Sequence, residues 1–236
     1  GSRILVAESI ADVFTRRLAD RMEKLRVGDP LDKSTDLGAI VDPVQLARIR
    51  DLVAQGQAQG AVLHQATCDL PAKGSFFAPG FLTNVAPANI VSEVEIFGPV
   101  ATLTTFRTPD EAVELANNSR YGLAASVWSE NINLALDVAS QVKAGVVWIN
   151  GTNIFDAAAG FGGVRESGFG REGGWEGLMA YLKPATKPVA LKPVTPTAAP
   201  ADPQVDTIDR TAKMYIGGKQ ARPDSGYSQP VYSPKG

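Results

Sequence analysis

Short apolar runs alternate with segments of helical period as far as Tyr181, and this alternation constrains the fold more than any other feature of the chain. Arg3-Ile4-Leu5-Val6 reads as a short buried strand. Ser9 with Asp12 stands in capping-box spacing, after which Ile10, Val13, Phe14, Leu18, Met22 and Leu25 recur at helical intervals until Gly28. Asp42-Pro43 opens a second helix, because proline in the first helical position sacrifices no hydrogen bond. Its apolar face is Leu46, Ile49, Leu52 and Val53, and Gly56 is expected to end it. Ala101 to Phe106 is β-branched and alternating, hence a strand. Thr108-Pro109-Asp110-Glu111 is a full capping box for a third helix. Ala124 to Trp128 predicts a strand and Asn131 to Val142 a helix. Gly145-Val146-Val147-Trp148-Ile149-Asn150 is continuously apolar, as in a central strand covered on both faces. Such an order predicts an α/β domain of layered, largely parallel sheet with flanking helices.

The order stops where the composition changes. Pro184, Pro188, Pro193, Pro196, Pro200 and Pro203 predict an extended, semi-rigid linker. A new apolar piece, Met214-Tyr215-Ile216 before Gly217-Gly218, is too short to fold alone. A hydrophobic content of 44% and a charged content of 20% suit a globular protein. With 23 basic against 25 acidic residues, nothing draws the chain to nucleic acid or to an anionic membrane. No apolar run approaches the roughly 20 residues that cross a bilayer, and no signal peptide is visible, so the expected setting is cytoplasmic. One cysteine excludes an internal disulfide, and one cysteine with one histidine cannot build a zinc site.

Three motifs carry candidate chemistry. Gly168-Phe169-Gly170-Arg171-Glu172-Gly173 matches the dinucleotide-binding fingerprint in letters only. No strand leads directly into it, and proline-rich chain stands where the ribose-binding acid belongs, so it reads as a tight loop whose glycines allow close backbone approach. Cys68 has no glycine turn or helix start before it to lower its pKa, and it reads as a partly buried thiol beside a surface histidine, His64. Glu95, between Val94 and Ile96 at what looks like an apolar strand end, needs a partner. A basic neighbour would serve, and so would the vicinal hydroxyls of a ribose with Phe97 beside the sugar. Residue types alone leave both readings open.

Together these segments resemble the aldehyde dehydrogenase superfamily. Glu95-Ile96-Phe97-Gly98-Pro99-Val100 is similar to its signature. Val27-Gly28-Asp29-Pro30-Leu31-Asp32, Gly74-Ser75-Phe76-Phe77-Ala78-Pro79, Ala116-Asn117, Tyr121-Gly122-Leu123-Ala124-Ala125, Val147-Trp148-Ile149-Asn150, Phe161-Gly162-Gly163, Ser167-Gly168, Gly170-Arg171-Glu172 and Gly177-Leu178 follow in the family's order. The likeness covers roughly residues 1 to 191.

The resemblance implies an NAD(P)+-dependent oxidation of aldehydes to carboxylic acids through a cysteine thioester. It places the nucleophile three residues before Gly1, and the general base and dinucleotide-binding half earlier still. The parent protein is therefore expected to be an enzyme and this chain alone to be inactive. The residue that separates NAD from NADP belongs to that earlier half. Glu95 and Phe97 would meet the nicotinamide ribose, with Gln45 and Arg48 on a helix face near it; a lysine is commoner than Arg48 there. Asn150, Ile154, Phe155 and Phe161 would lead into and line a substrate funnel for a small-molecule aldehyde. Glu172 would relay protons through water. Gly160 stands where proline is usual before Phe-Gly-Gly, leaving that loop less fixed.

The implied domains are 1–181, the C-terminal half of the catalytic domain; 182–192, an oligomerisation strand, containing Lys187-Pro188-Val189-Ala190-Leu191; 193–212, the proline-rich linker; and 213–236, the start of a second module. That last piece resembles the two-module class, aldehyde dehydrogenase family 16. Homo-oligomers are expected. A non-catalytic assembly module is the competing reading, and the residue three positions before Gly1 discriminates the two.

Overall fold

In a computed structural model of the chain, residues 2–183 and 185 are described in full, together with the backbone of 214–216 and 219–221. The chain divides into two units, one ending at Lys183 and the other beginning at Pro184. The expected linker and the segment 187–191 lie outside the described residues.

The first unit is α/β, as the alternation predicts. Strands β1 (Arg3–Ala7), β2 (Val62–Gln65), β3 (Gly80–Thr83) and β4 (Val100–Phe106) form one sheet in the order β1-β4-β3-β2. β4 is parallel to both β1 and β3, pairing Thr102 with Arg3 and Val100 with Gly80; β2 runs antiparallel to β3. Strands β5 (Ala124–Val127) and β6 (Val146–Ile149) form a separate parallel pair. The helices are α1 (Ala11–Met22), α2 (Pro43–Ala58), α3 (Ile90–Glu93), α4 (Pro109–Asn117), α5 (Ile132–Gln141) and α6 (Gly174–Met179). In the second unit β7 (Met214–Ile216) and β8 (Lys219–Ala221) make an antiparallel hairpin.

The capping chemistry mostly works as the residues suggest. The Asp42 side chain accepts from Gln45 N at 2.7 Å, with Pro43 opening α2. Thr108 accepts from Glu111 N at 3.2 Å, while the Glu111 carboxylate reaches back to Arg107 N at 2.7 Å. Ser9 is a correction: it lies in a 3-10 turn, Glu8–Ile10, and α1 starts at Ala11 with no side-chain cap. Gly56 is another. It does not stop α2 but lies inside it, buried, where a Cβ would come within 2.7 Å of Val91 Cγ1.

The strand covered on both faces is not the one expected. Successive side chains of a strand point to opposite faces, and β3 sends Phe81 (1% exposed) into a cluster with Val6, Met22, Ala66 and Leu103. Leu82 (0% exposed) enters the other cluster, with Ile49, Leu52, Val53, Val91, Ile96 and Val100. β6 by contrast has one neighbour among the described residues, and all four of its residues are half-buried. Its apolar run serves α5, which packs on it, and an aromatic cluster built on Trp148.

Candidate functional site

The Glu95–Phe97 segment leaves α3 as open chain, not as a strand end, and Glu95 is exposed. The buried-carboxylate problem therefore does not arise. Ile96 (3% exposed) anchors the turn in the core, and Phe97 is left 71% exposed with a left-handed backbone, φ 55°. Gly98 allows the turn to sit on the core, because a Cβ there would lie 2.6 Å from Ile49 Cδ1. Gln45 Nε2, from the first turn of α2, donates to the carbonyls of Ile96 and Phe97, both at 3.1 Å. Its amide thus holds the loop. Ser2 Oγ donates to Glu95 Oε1 at 3.4 Å. The other carboxylate oxygen accepts no hydrogen bond from the described residues, so the group fits a ligand with paired hydroxyls. Arg48 is exposed and forms no ion pair among the described residues.

A second cluster lies at the end of β6. Trp148 stacks on Phe161 at 6.2 Å between ring centroids, and Phe155 meets both rings edge-on, at 5.8 Å from Trp148 and 4.9 Å from Phe161. These spacings and angles are the favourable ones for aromatic pairs. Trp148 Nε1 donates to Ile154 O at 2.9 Å. Ile154 (68%) and Phe155 (62%) nevertheless remain open, so the cluster is an apolar wall with one wet side, not a sealed core. Trp148 was not among the expected site residues. The signal was its place on a strand two residues before Asn150, inside a motif already singled out. The Asn150 amide is committed elsewhere: Oδ1 accepts from Ser129 N and Nδ2 donates to Ser129 O, both at 2.9 Å.

The glycine-rich segment is a tight loop, as its sequence context implies. Phe161 and Glu172 exchange both backbone hydrogen bonds at 2.7 Å, so the aromatic wall and the Glu172 carboxylate share one bridge. A Cβ on Gly145 would collide with the Gly162 carbonyl, and one on Gly162 with the Gly170 carbonyl. Three backbone segments are therefore layered with nothing between them. Arg171 Nη1 ties the loop by donating to Gly163 O and Gly170 O, both at 2.8 Å. Gly174 N donates to Ala157 O at 2.8 Å and pins the part where Gly160 replaces proline.

Cys68 and His64 are not brought together as a pair. His64 is half-buried: its ring stacks on Phe81, and Nε2 shares a 2.8 Å hydrogen bond with Thr83 Oγ1. Burial, and then the charges of Glu23 and Asp69, push the Cys68 thiol up, away from nucleophilic use. No group of three metal-ligating side chains occurs among the described residues, and no helix of theirs is long and apolar enough to cross a membrane.

Comparison with known proteins gives one answer. The model of the aldehyde dehydrogenase family matches residues 1–187. Human retinal dehydrogenase 2 is 42% identical over 191 residues, covering 81% of this chain and 37% of that one. An aldehyde dehydrogenase of Enchytraeus buchholzi is 44% identical over 186 residues, again with 37% of its length covered. Betaine aldehyde dehydrogenase from Staphylococcus aureus, solved in complex with NAD+, superposes with a TM-score of 0.72 at 39% identity, over 77% of this chain and 37% of that one. The chain thus spans just over a third of the length of these relatives.

Proposed function

The chain belongs to the aldehyde dehydrogenase family, and from that premise we propose that it supplies the cofactor-ribose wall and the substrate wall of an NAD+-dependent oxidation of aldehydes to carboxylic acids. The observation that carries this reading is the pair of half-exposed surfaces just described: Glu95 with Phe97 on a loop held by Gln45, and Trp148, Phe155 and Phe161 around the end of β6. NAD+, when bound, is the two-electron acceptor. Glu95 accepts hydrogen bonds from two neighbouring ribose hydroxyls, and Phe97 lies against the sugar. Gln45 acts on the ribose by fixing Phe97, with Arg48 one turn further along α2.

Ile154, Phe155 and Phe161 give the aldehyde's tail an apolar surface and exclude water from the reacting carbonyl. Glu172 sits one bridge away with an exposed carboxylate, able to accept a proton from water. Asn150 orients this region through Ser129. The nucleophilic cysteine and the general base belong to the chain that precedes Gly1. The setting is cytoplasmic and the active protein a homo-oligomer. The antiparallel β7–β8 pair supports reading 213–236 as the opening of a second module.

The test is NADH formation in the presence of an aldehyde. The protein carrying its preceding sequence turns over, and the 236-residue chain alone does not. Turnover by the chain alone overturns the division of labour. No turnover by the longer protein assigns the chain to a non-catalytic assembly role.

A further inference from the structure

Helix α4 has no basic residue in its last turn, yet its C-terminal carbonyls face two guanidinium groups from distant parts of the chain. Arg3, on β1, donates Nη2 to Ala116 O at 2.8 Å and Nη1 to Leu115 O at 3.1 Å and Asn118 O at 3.4 Å. Arg165, at the entrance to the glycine loop, donates Nη1 to Asn117 O at 2.9 Å and to Ser119 O. Every carbonyl from 115 to 119 therefore accepts from one of the two. A helix C-terminus attracts cations because its unpaired carbonyls sum to a partial negative charge. Two like charges still repel, and burial followed by the charge of Arg165 holds Arg3 below the usual arginine range.

The backbone of Arg165 is left-handed, φ 56°, a conformation side chains other than glycine adopt only when their surroundings insist. Here they do. Val164 N donates to Gly122 O at 2.9 Å, Glu166 N to Arg120 O at 3.1 Å, and Gly122 N to Ser167 Oγ at 3.0 Å.

Among the described residues neither arginine hydrogen-bonds to Glu95 or Glu172; each acts through what it holds. Arg3 fixes β1, whose neighbour Ser2 reaches Glu95. Arg165 fixes the start of the loop that Arg171 closes and that carries Phe161 and Glu172. We propose that Arg3 and Arg165 are one positioning device, which uses the end of α4 to set β1 and the Phe161 wall at the separation the reaction needs. This rests on the aldehyde-oxidising reading, in which the nucleophile lies just ahead of β1. An arginine fork reaches several acceptors at once where lysine offers a point charge, and Arg3 uses both of its terminal nitrogens in this way.

Arg165 is the position to change. It is exposed and borders an open groove of about 680 Å³ with Glu114, Asn118 and Lys143, so methionine there needs no repacking. In the longer protein, Arg165→Met raises the aldehyde KM about tenfold, since a slight misplacement weakens productive approach, and leaves the NAD+ KM within about twofold. Arg165→Lys recovers part of the loss. Unchanged constants, or both KM values rising together with a lower Tm, overturn the proposal. In the 236-residue chain, hydrogen exchange gives a readout independent of turnover. Arg165→Met speeds exchange at Phe161 N and Glu172 N about tenfold, with Leu82 N unmoved; equal exchange in variant and parent overturns the clamp. A parent that exchanges as expected but shows no turnover defeats the aldehyde-oxidising reading and the positioning role with it, leaving a structural clamp.

Discussion

The four-stranded sheet and the β5–β6 region are held together by different physics. Among the described residues every fully buried apolar side chain but Ala135 belongs to the sheet and the helices and loops around it. Ile49, Phe81 and Leu82 are its centre, and transfer of such groups from water is what keeps that half closed. The β5–β6 region holds by close backbone approach and polar ties: Gly145 on Gly162 on Gly170, the Phe161–Glu172 bridge, and arginine forks onto carbonyls. The difference has a packing reason. A wall of half-exposed aromatics cannot also be the buried core that stabilises its own region, so its position must come from elsewhere.

The largest test of this contrast is Gly145→Ala. One methyl group has no space beside the Gly162 carbonyl, and the cost is on the order of 5 kcal/mol or the loop is displaced. All three tryptophans, Trp128, Trp148 and Trp175, lie in the β5–β6 region or on α6, so their fluorescence reports that half alone. In urea the fluorescence transition moves to lower denaturant while most of the circular dichroism transition stays. Coincident movement of both signals means one cooperative unit and breaks the comparison. Ile49→Ala comes next, at about 4 kcal/mol for a large-to-small change at a fully buried site. It moves the circular dichroism transition more than the fluorescence, and because Ile49 underlies Gly98 it also loosens the Phe97 turn. Equal shifts in the two signals would remove the distinction.

The same contrast explains what could be read in advance. Helices α2, α4 and α5 announce themselves through Asp42, Thr108 and Asn131, each of which caps as its chemistry suggests. Tight packing around the glycine loop was legible because its letters lacked the strand and acid of a phosphate site. Strand β3 was not. Its four residues are too few for a period to show, and its covering on both faces is made by α2 and α1, distant in sequence. The continuously apolar β6 misled for the complementary reason, since apolar residues were needed for an aromatic wall and not for a central position in the sheet. A family pattern picks out Glu95 and Phe97, and the structure adds only that both are exposed and that Phe97 has a left-handed backbone. The roles of Gln45, Arg3 and Arg165 depend on side chains reaching backbone carbonyls far along the chain, and no spacing rule encodes such a contact.

The smallest effect concerns Cys68, which lies in the sheet half and so serves as its reporter. Burial first, then Glu23 and Asp69, raise its thiol above the ordinary value. The folded chain therefore favours the protonated form. That preference is fully present below the unfolded thiol pKa of about 8.5 and is lost as pH rises through the higher folded value. At neutral pH alkylation of Cys68 in the folded chain is slower than in urea, and its rate keeps climbing with pH after the unfolded thiol has levelled off. If the halves are held separately, Gly145→Ala leaves this rate unchanged and Ile49→Ala increases it, because only the second destabilises the sheet, whose other face packs Ala66 and Phe81. A rate that rises in Gly145→Ala would mean that the backbone-held region also secures the sheet, and the division drawn between them would fail.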